Sequence, residues 1–257
     1  VSLHVRRIGE AGRPVVLLHP LALSGAVWDP VAKFLSAGHQ VLALDARGHG
    51  ESPWDGKEFT VEDMAADAAS VIEDFGSGPA DVIGLSMGGS TALVLAATRP
   101  DLVHHLVLAD ATACYGPDRE SEWAARAERA ATVPRVEQLS FQRDRWFAEA
   151  FQQAHPEEVR RVSDIFVATD SRAHAAACRA LGALDATAKL GDVEAETLVL
   201  VGDEDYATPP AMARELAGGI KGAKLRVLER TRHLSLLERP DLWPDVAEHL
   251  GWSGSDT

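Results

Sequence analysis

Two patterns of apolar residues alternate along the chain. Short unbroken runs occur at Pro14-Val15-Val16-Leu17-Leu18, Gln40-Val41-Leu42-Ala43-Leu44-Asp45, Asp81-Val82-Ile83-Gly84-Leu85, residues 102–110, and Thr197-Leu198-Val199-Leu200-Val201-Gly202. A run that is apolar at every position suits a strand buried on both faces. Residues 3–8 and 224–228 predict two more strands. Between these runs, apolar residues return every three or four positions. Val61, Met64, Ala65, Ala68, Val71, Ile72 and Phe75 fall on one face of a helix, with Thr60 and Asp63 forming a capping box and Gly76 and Gly78 ending it. Further helices are expected over about 24–35, over 90–97 up to Pro100, from Pro209, and over 241–250. Such alternation calls for an α/β fold: a mostly parallel central sheet flanked by helices.

The alternation breaks between about Ala113 and Thr197, where no strand is predicted. Helices are expected over 120–131, over 136–151, from Pro156-Glu157-Glu158, and over 171–184. Pro156 fits a first helical position, and the two acids after it suit the positive end of a helix dipole. The chain therefore divides into a core of residues 1–112 and 191–257 and an inserted helical cap over 113–190. The polar tail 251–257 is expected to fray.

Composition adds limits. At 257 residues and 46% hydrophobic, the chain can bury one large core. No apolar run reaches membrane-spanning length, and no basic region precedes a secretory-type apolar segment. Cys114 and Cys178 have no metal-ligand spacing and read as reduced thiols. Together these point to a cytoplasmic protein without a membrane partner. The net charge of -14 argues against nucleic acid as a partner. That charge is unevenly spread. Residues 113–190 hold 11 Lys/Arg against 12 Asp/Glu, so the rest of the chain carries almost all the excess. An anionic ligand would have to be held by arginines placed locally.

The candidate chemistry centres on Gly84-Leu85-Ser86-Met87-Gly88, where an apolar strand runs into a helix. A sharp turn there strains the serine backbone, leaves no room for side chains at 84 and 88, and presents the hydroxyl at a helix N-terminus. A serine needs a base to act as a nucleophile, and the base needs an orienting acid. His233 is the preferred base, since it follows the 224–228 strand and so lies at the same sheet edge as Ser86. His104, His105, His155, His174 and His249 fall within strands or helices, away from that edge. Asp205 is the preferred acid, deepest in the loop after Gly202, with Asp203 read as a turn acid. Asp110, ending the preceding strand, is the alternative. Backbone N–H groups of Met87 and Leu21 are the expected oxyanion donors, because Pro20 has none. The polar loop 45–52 lacks phosphate-loop and dinucleotide spacing, so Asp45 and Arg47 read as braces. No metal and no cofactor are expected.

Jointly, His19-Pro20-Leu21, Asp45–Ser52, Gly84–Gly89, Gly202–Pro210 and His233 resemble the α/β-hydrolase fold superfamily over nearly the whole chain. That resemblance implies Ser86, Asp205 and His233 as the catalytic set. A narrower set resembles the 3-oxoadipate enol-lactonases: Arg145-Trp146-Phe147, Cys178-Arg179-Ala180 with Asp185, Asp205–Pro210, and His233-Leu234-Ser235 with Glu238. Those enzymes hydrolyse a carboxylate-bearing enol-lactone, which implies a small ester or lactone substrate. Ala22, where glycine is expected, and Tyr206 depart from the pattern. Arg145 either pairs with a substrate carboxylate, or is solvated or bound to an acid of the cap. Trp146 either lines the pocket or fills the cap's core. General esterase action, perhydrolysis, C–C hydrolysis and a receptor role all use the same fold.

Overall fold

The structure, a computed structural model, describes residues 2–252. The tail beyond Trp252, expected to fray, lies outside them. Seven strands form one sheet: β1 (Val5–Ile8), β2 (Pro14–Leu18), β3 (Gln40–Leu44), β4 (Ala80–Leu85), β5 (Val103–Ala109), β6 (Glu196–Gly202) and β7 (Lys224–Leu228). Their spatial order is β1-β3-β2-β4-β5-β6-β7. All neighbours are parallel except β1, which runs antiparallel to β3. The glycine-rich turn after β1 thus leads to β2 without pairing the two strands.

Both sheet faces are covered, and this is why the strands read as unbroken apolar runs. Val16 and Leu18 of β2 face one core, with α2 (Val61–Phe75) and α3 (Met87–Thr98). Val15 and Leu17 face the other, with α1 (Asp29–Leu35). Each such side chain, fully buried, contributes roughly 1.5–3 kcal/mol. Helix α3 is buried at every position from Met87 to Ala96, so its sequence shows no polar face. The predicted capping box is present: Asp63 N–H donates to Thr60 Oγ1 at 3.1 Å, and Thr60 N–H to Asp63 Oδ2 at 2.8 Å.

Between β5 and β6 the described residues carry five helices: α4 (Arg119–Thr132), α5 (Leu139–Trp146), α6 (Glu149–Ala154), α7 (Pro156–Ala168) and α8 (Ser171–Ala183). Helix α9 (Pro210–Gly219) follows β6, and α10 (Ser235–Glu238) and α11 (Trp243–His249) follow β7.

Three expected helices differ. The 24–35 helix is a 3-10 turn over Gly25–Trp28 followed by α1, and Gly25 N–H at its start donates to Asp45 Oδ1 at 2.6 Å. The 241–250 helix begins only at Trp243, after a 3-10 turn at Pro240–Leu242. The single helix expected over 136–151 is a 3-10 turn (Arg135–Gln138), α5 and α6, with Phe147 and Ala148 extended between them. There, N–H groups of His233 and Leu234 donate to the carbonyls of Arg145 (3.3 Å) and Trp146 (3.0 Å). Ala148 N–H donates to Glu238 Oε1 at 3.1 Å. An unbroken helix would have spent those groups internally.

Candidate active site

The parallel register aligns the carboxyl ends of β2, β4, β5 and β6, so His19, Ser86, Asp110 and Asp205 all emerge at one edge. Ser86 joins β4 to α3 with φ 56° and ψ -116°, a conformation costly for any residue with a side chain. The flanking glycines make it possible. A Cβ on Gly84 would lie 2.2 Å from the Gly88 carbonyl oxygen, and one on Gly88 would lie 2.0 Å from that of Leu18. The second contact presses the turn against the loop His19-Pro20-Leu21.

Ser86 Oγ lies 2.8 Å from His233 Nε2, and His233 Nδ1 lies 2.8 Å from Asp205 Oδ2. His233 Nδ1–H donates to the carboxylate, which leaves Nε2 free to accept from the serine hydroxyl. Burial pushes the Asp205 carboxyl up. The opposing charge of His233, its hydrogen bond and those of the Thr208 hydroxyl and N–H outweigh this, and the carboxyl stands below its ordinary range.

The alternative acid is elsewhere. Asp110, fully buried, accepts Gly202 N–H (3.2 Å) and Ser235 N–H (2.9 Å). Burial and the charge of Asp205 raise its carboxyl well above the usual range. Asp110 therefore ties together the two loops that carry Asp205 and His233. Asp203 is exposed, and Glu204 pairs with Arg232 at 3.5 Å.

Leu21 lines the cavity together with Ser86, and Met87 opens α3 directly after the serine. Ala22, where glycine was expected, has φ 60°, which is the left-handed region that favours glycine. Its carbonyl accepts the Thr169 hydroxyl at 2.8 Å, which ties the loop to α7. His19 fixes the same loop from beneath: Nδ1–H donates to the Pro20 carbonyl (2.8 Å), and Nε2 accepts Ala46 N–H (2.9 Å). Burial lowers its pKa to about 4, so the ring is neutral near pH 7. Asp45 braces the neighbouring loop through Gly25 and Glu51 N–H (2.6 and 2.8 Å), and Arg47 bonds Asp67 at 2.7 Å.

A cavity of about 80 Å³ opens over Ser86 and His233, roofed by Trp123, Arg126 and Arg129 of α4 and Phe141, Arg145 and Trp146 of α5. Arg145 is half-buried, 5.2 Å from the Phe141 ring, and has no carboxylate partner among the described residues. Trp146 does both things considered for it: it is buried edge-on against Phe166 (5.4 Å) and it lines the cavity. Arg126 and Arg129 were not singled out from sequence. The signal was there, since Trp123, Arg126 and Arg129 recur every three residues on one helical face. His174, expected far from this edge, lines the cavity because α8 folds back over it; burial and the charge of Arg135 hold it well below the usual histidine range. Cys178 lines it as a neutral thiol, pushed up to about 12 by burial.

Among the described residues, Asp81, His104 and His105 form one group able to hold a metal ion, at the opposite sheet edge. Arg13 already lies against Asp81 Oδ1 (3.5 Å) and His104, and supplies the positive charge there.

Comparisons with known proteins identify the family and the fold. The chain is 26% identical to 3-oxoadipate enol-lactonase 2 of Acinetobacter baylyi, over 96% of this chain and 92% of that one. Its fold superposes on the crystal structure of the enol-lactonase from Burkholderia xenovorans LB400 with a TM-score of 0.90 and 32% identity, covering 97% and 96% of the two chains. A thermophilic esterase from Thermogutta terrifontis, solved with malate bound, gives 0.89 and 28% over 97% and 93%. No helix among the described residues is long and apolar enough to cross a membrane. Residues 13–240 match the profile of the alpha/beta hydrolase fold family, and the chain belongs to that family.

Proposed function

We propose that the protein hydrolyses a small ester or lactone through an acyl-enzyme on Ser86, with a carboxylate-bearing enol-lactone as the substrate type its relatives suggest. The observation that carries this reading is the relay Ser86–His233–Asp205, two hydrogen bonds of 2.8 Å in series. Ser86 Oγ attacks the carbonyl carbon while its proton passes to His233 Nε2. The carbonyl oxygen gains the charge and takes hydrogen bonds from Met87 N–H and Leu21 N–H, each worth about 3–4 kcal/mol of transition-state stabilisation. Asp205 holds the imidazolium until it protonates the departing oxygen. In a lactone that oxygen stays tethered to the acyl group, and an enol oxygen leaves as an enol that relaxes to a ketone. A water, deprotonated by His233, then displaces Ser86 and releases the acid.

The helical segment over the cavity acts as a cap that selects the substrate, and Arg145 is its carboxylate partner. Arg145 reaches this role unpaired and half-desolvated, a state in which a charge-assisted bond to substrate counts for more than at a free surface. The test is turnover of 3-oxoadipate enol-lactone against neutral esters and lactones, by wild type, Ser86→Ala and Arg145→Gln. Ser86→Ala should lose a factor of about 10⁴ or more in kcat while remaining folded and unlabelled by a fluorophosphonate. Arg145→Gln should raise KM for the carboxylate-bearing substrate more than for neutral ones. Full turnover by Ser86→Ala would end the reading.

A further inference from the structure

Three guanidinium groups, of Arg126, Arg129 and Arg145, border the cavity, and no aspartate or glutamate among the described residues lines it. This is a chain of net charge -14, in which most arginines elsewhere, though not all, pair with a carboxylate: Arg6 with Asp29 at 3.0 Å, Arg47 with Asp67 at 2.7 Å, Arg179 with Glu58 at 2.6 Å. The three at the cavity make no ion pair with any described residue. Each instead lies over an aromatic ring: Arg126 4.4 Å from the Trp123 centroid, and Arg129 and Arg145 at 5.6 and 5.2 Å from that of Phe141.

Arg126 shows that this is a matter of placement. Glu122 stands four residues before it on α4, the spacing and order that favour a helical ion pair, yet Arg126 turns to Trp123 and the cavity. Arg126 and Arg129 are one turn apart, so their charges repel. Burial, with the charge of Arg126 behind it, also works against the proton on Arg145. One substrate carboxylate would balance only one of the three charges.

We infer that the pocket takes a substrate with two carboxylates, one paired with Arg145 and a second held between Arg126 and Arg129. This deepens the hydrolase reading and rests on it for the reaction, though not for the binding. Planar guanidinium forks held on aromatic faces are pre-oriented for carboxylate oxygens, so little side-chain freedom is lost on binding.

The test compares three methyl esters that share one reacting group: methyl butyrate, monomethyl glutarate and a terminal monomethyl ester of tricarballylate. In wild-type protein kcat/KM should rise at each step, the second carboxylate adding about tenfold or more. In the double variant Arg126→Gln/Arg129→Gln, the ratio between the last two esters should fall to near one. Calorimetry with glutarate and butyrate gives the binding arm, with the dicarboxylate glutarate at least about tenfold tighter than butyrate and the gap closing in the double variant. If the binding order holds but no ester turns over, the inference stands and the hydrolase reading falls. If esters turn over but the second carboxylate gains nothing in rate or binding, the inference is overturned and the hydrolase reading stands.

Discussion

Asp110 and Asp205 follow adjacent strands, both buried, and one hydrogen bond separates their roles. The His233 bond goes to Asp205. Asp205→Asn should lower kcat by about 10⁴, because the amide no longer holds the ring in the tautomer that accepts from serine. Asp110→Asn keeps one acceptor for the two N–H groups it serves, and should stay within about tenfold in kcat while lowering Tm. Steady-state rates and thermal melts on the two variants would reverse the assignment if the losses came out the other way. His19 yields a pH prediction. Its folded pKa of about 4 lies below the ordinary 6.5, so between these values the unfolded chain binds more protons. Stability from this group is complete above pH 6.5 and is lost as pH falls toward 4, by on the order of 3 kcal/mol. His49, at about 3, acts with the same sign. Urea unfolding at pH 4.5 and 7 should show the loss, and His19→Gln should shrink it; an unchanged difference would remove His19 as its source.

At the scale of elements, strands and the Ser86 turn were legible because their causes are local. Burial on both faces makes a strand apolar throughout, and the glycines at 84 and 88 answer contacts within the turn and its neighbouring strand. The break between α5 and α6 was not legible, because its cause lies about ninety residues away in the His233 loop. Arg126 was hidden for a related reason: Glu122 stands four residues before it, and only the fold shows that the arginine turns to Trp123 and the cavity instead. Glu238 locks this corner, accepting Ala148 N–H through Oε1 (3.1 Å) and Arg232 N–H through Oε2 (3.0 Å). Glu238→Gln leaves one of those buried N–H groups facing an NH₂, a cost of about 1–3 kcal/mol. Because the corner holds both Arg145 and His233, the variant should lower kcat/KM for neutral and carboxylate-bearing esters together. A loss confined to the charged substrate would show that Glu238 acts on Arg145 alone.

At the scale of the whole molecule, net charge and local charge point opposite ways. The chain carries a net charge of -14, yet arginines and no acidic residue line the cavity among the described residues, so an anionic ligand bound there would meet a local charge opposite to the overall one. The helical segment above that pocket is also stitched to the sheet. The carbonyls of Arg145 and Trp146 receive the N–H groups of His233 and Leu234, so the roof supplies two of the bonds that seat the histidine's loop. This has a consequence for recombining such enzymes. A chimera that keeps the sheet but imports residues 113–190 from a relative also replaces the carbonyls that hold the 233–234 loop, so any change in its activity would reflect that loop as well as the cavity lining. Grafts that retain the 145–148 corner together with the 232–238 loop move the two as one heritable unit, and the seam belongs outside it.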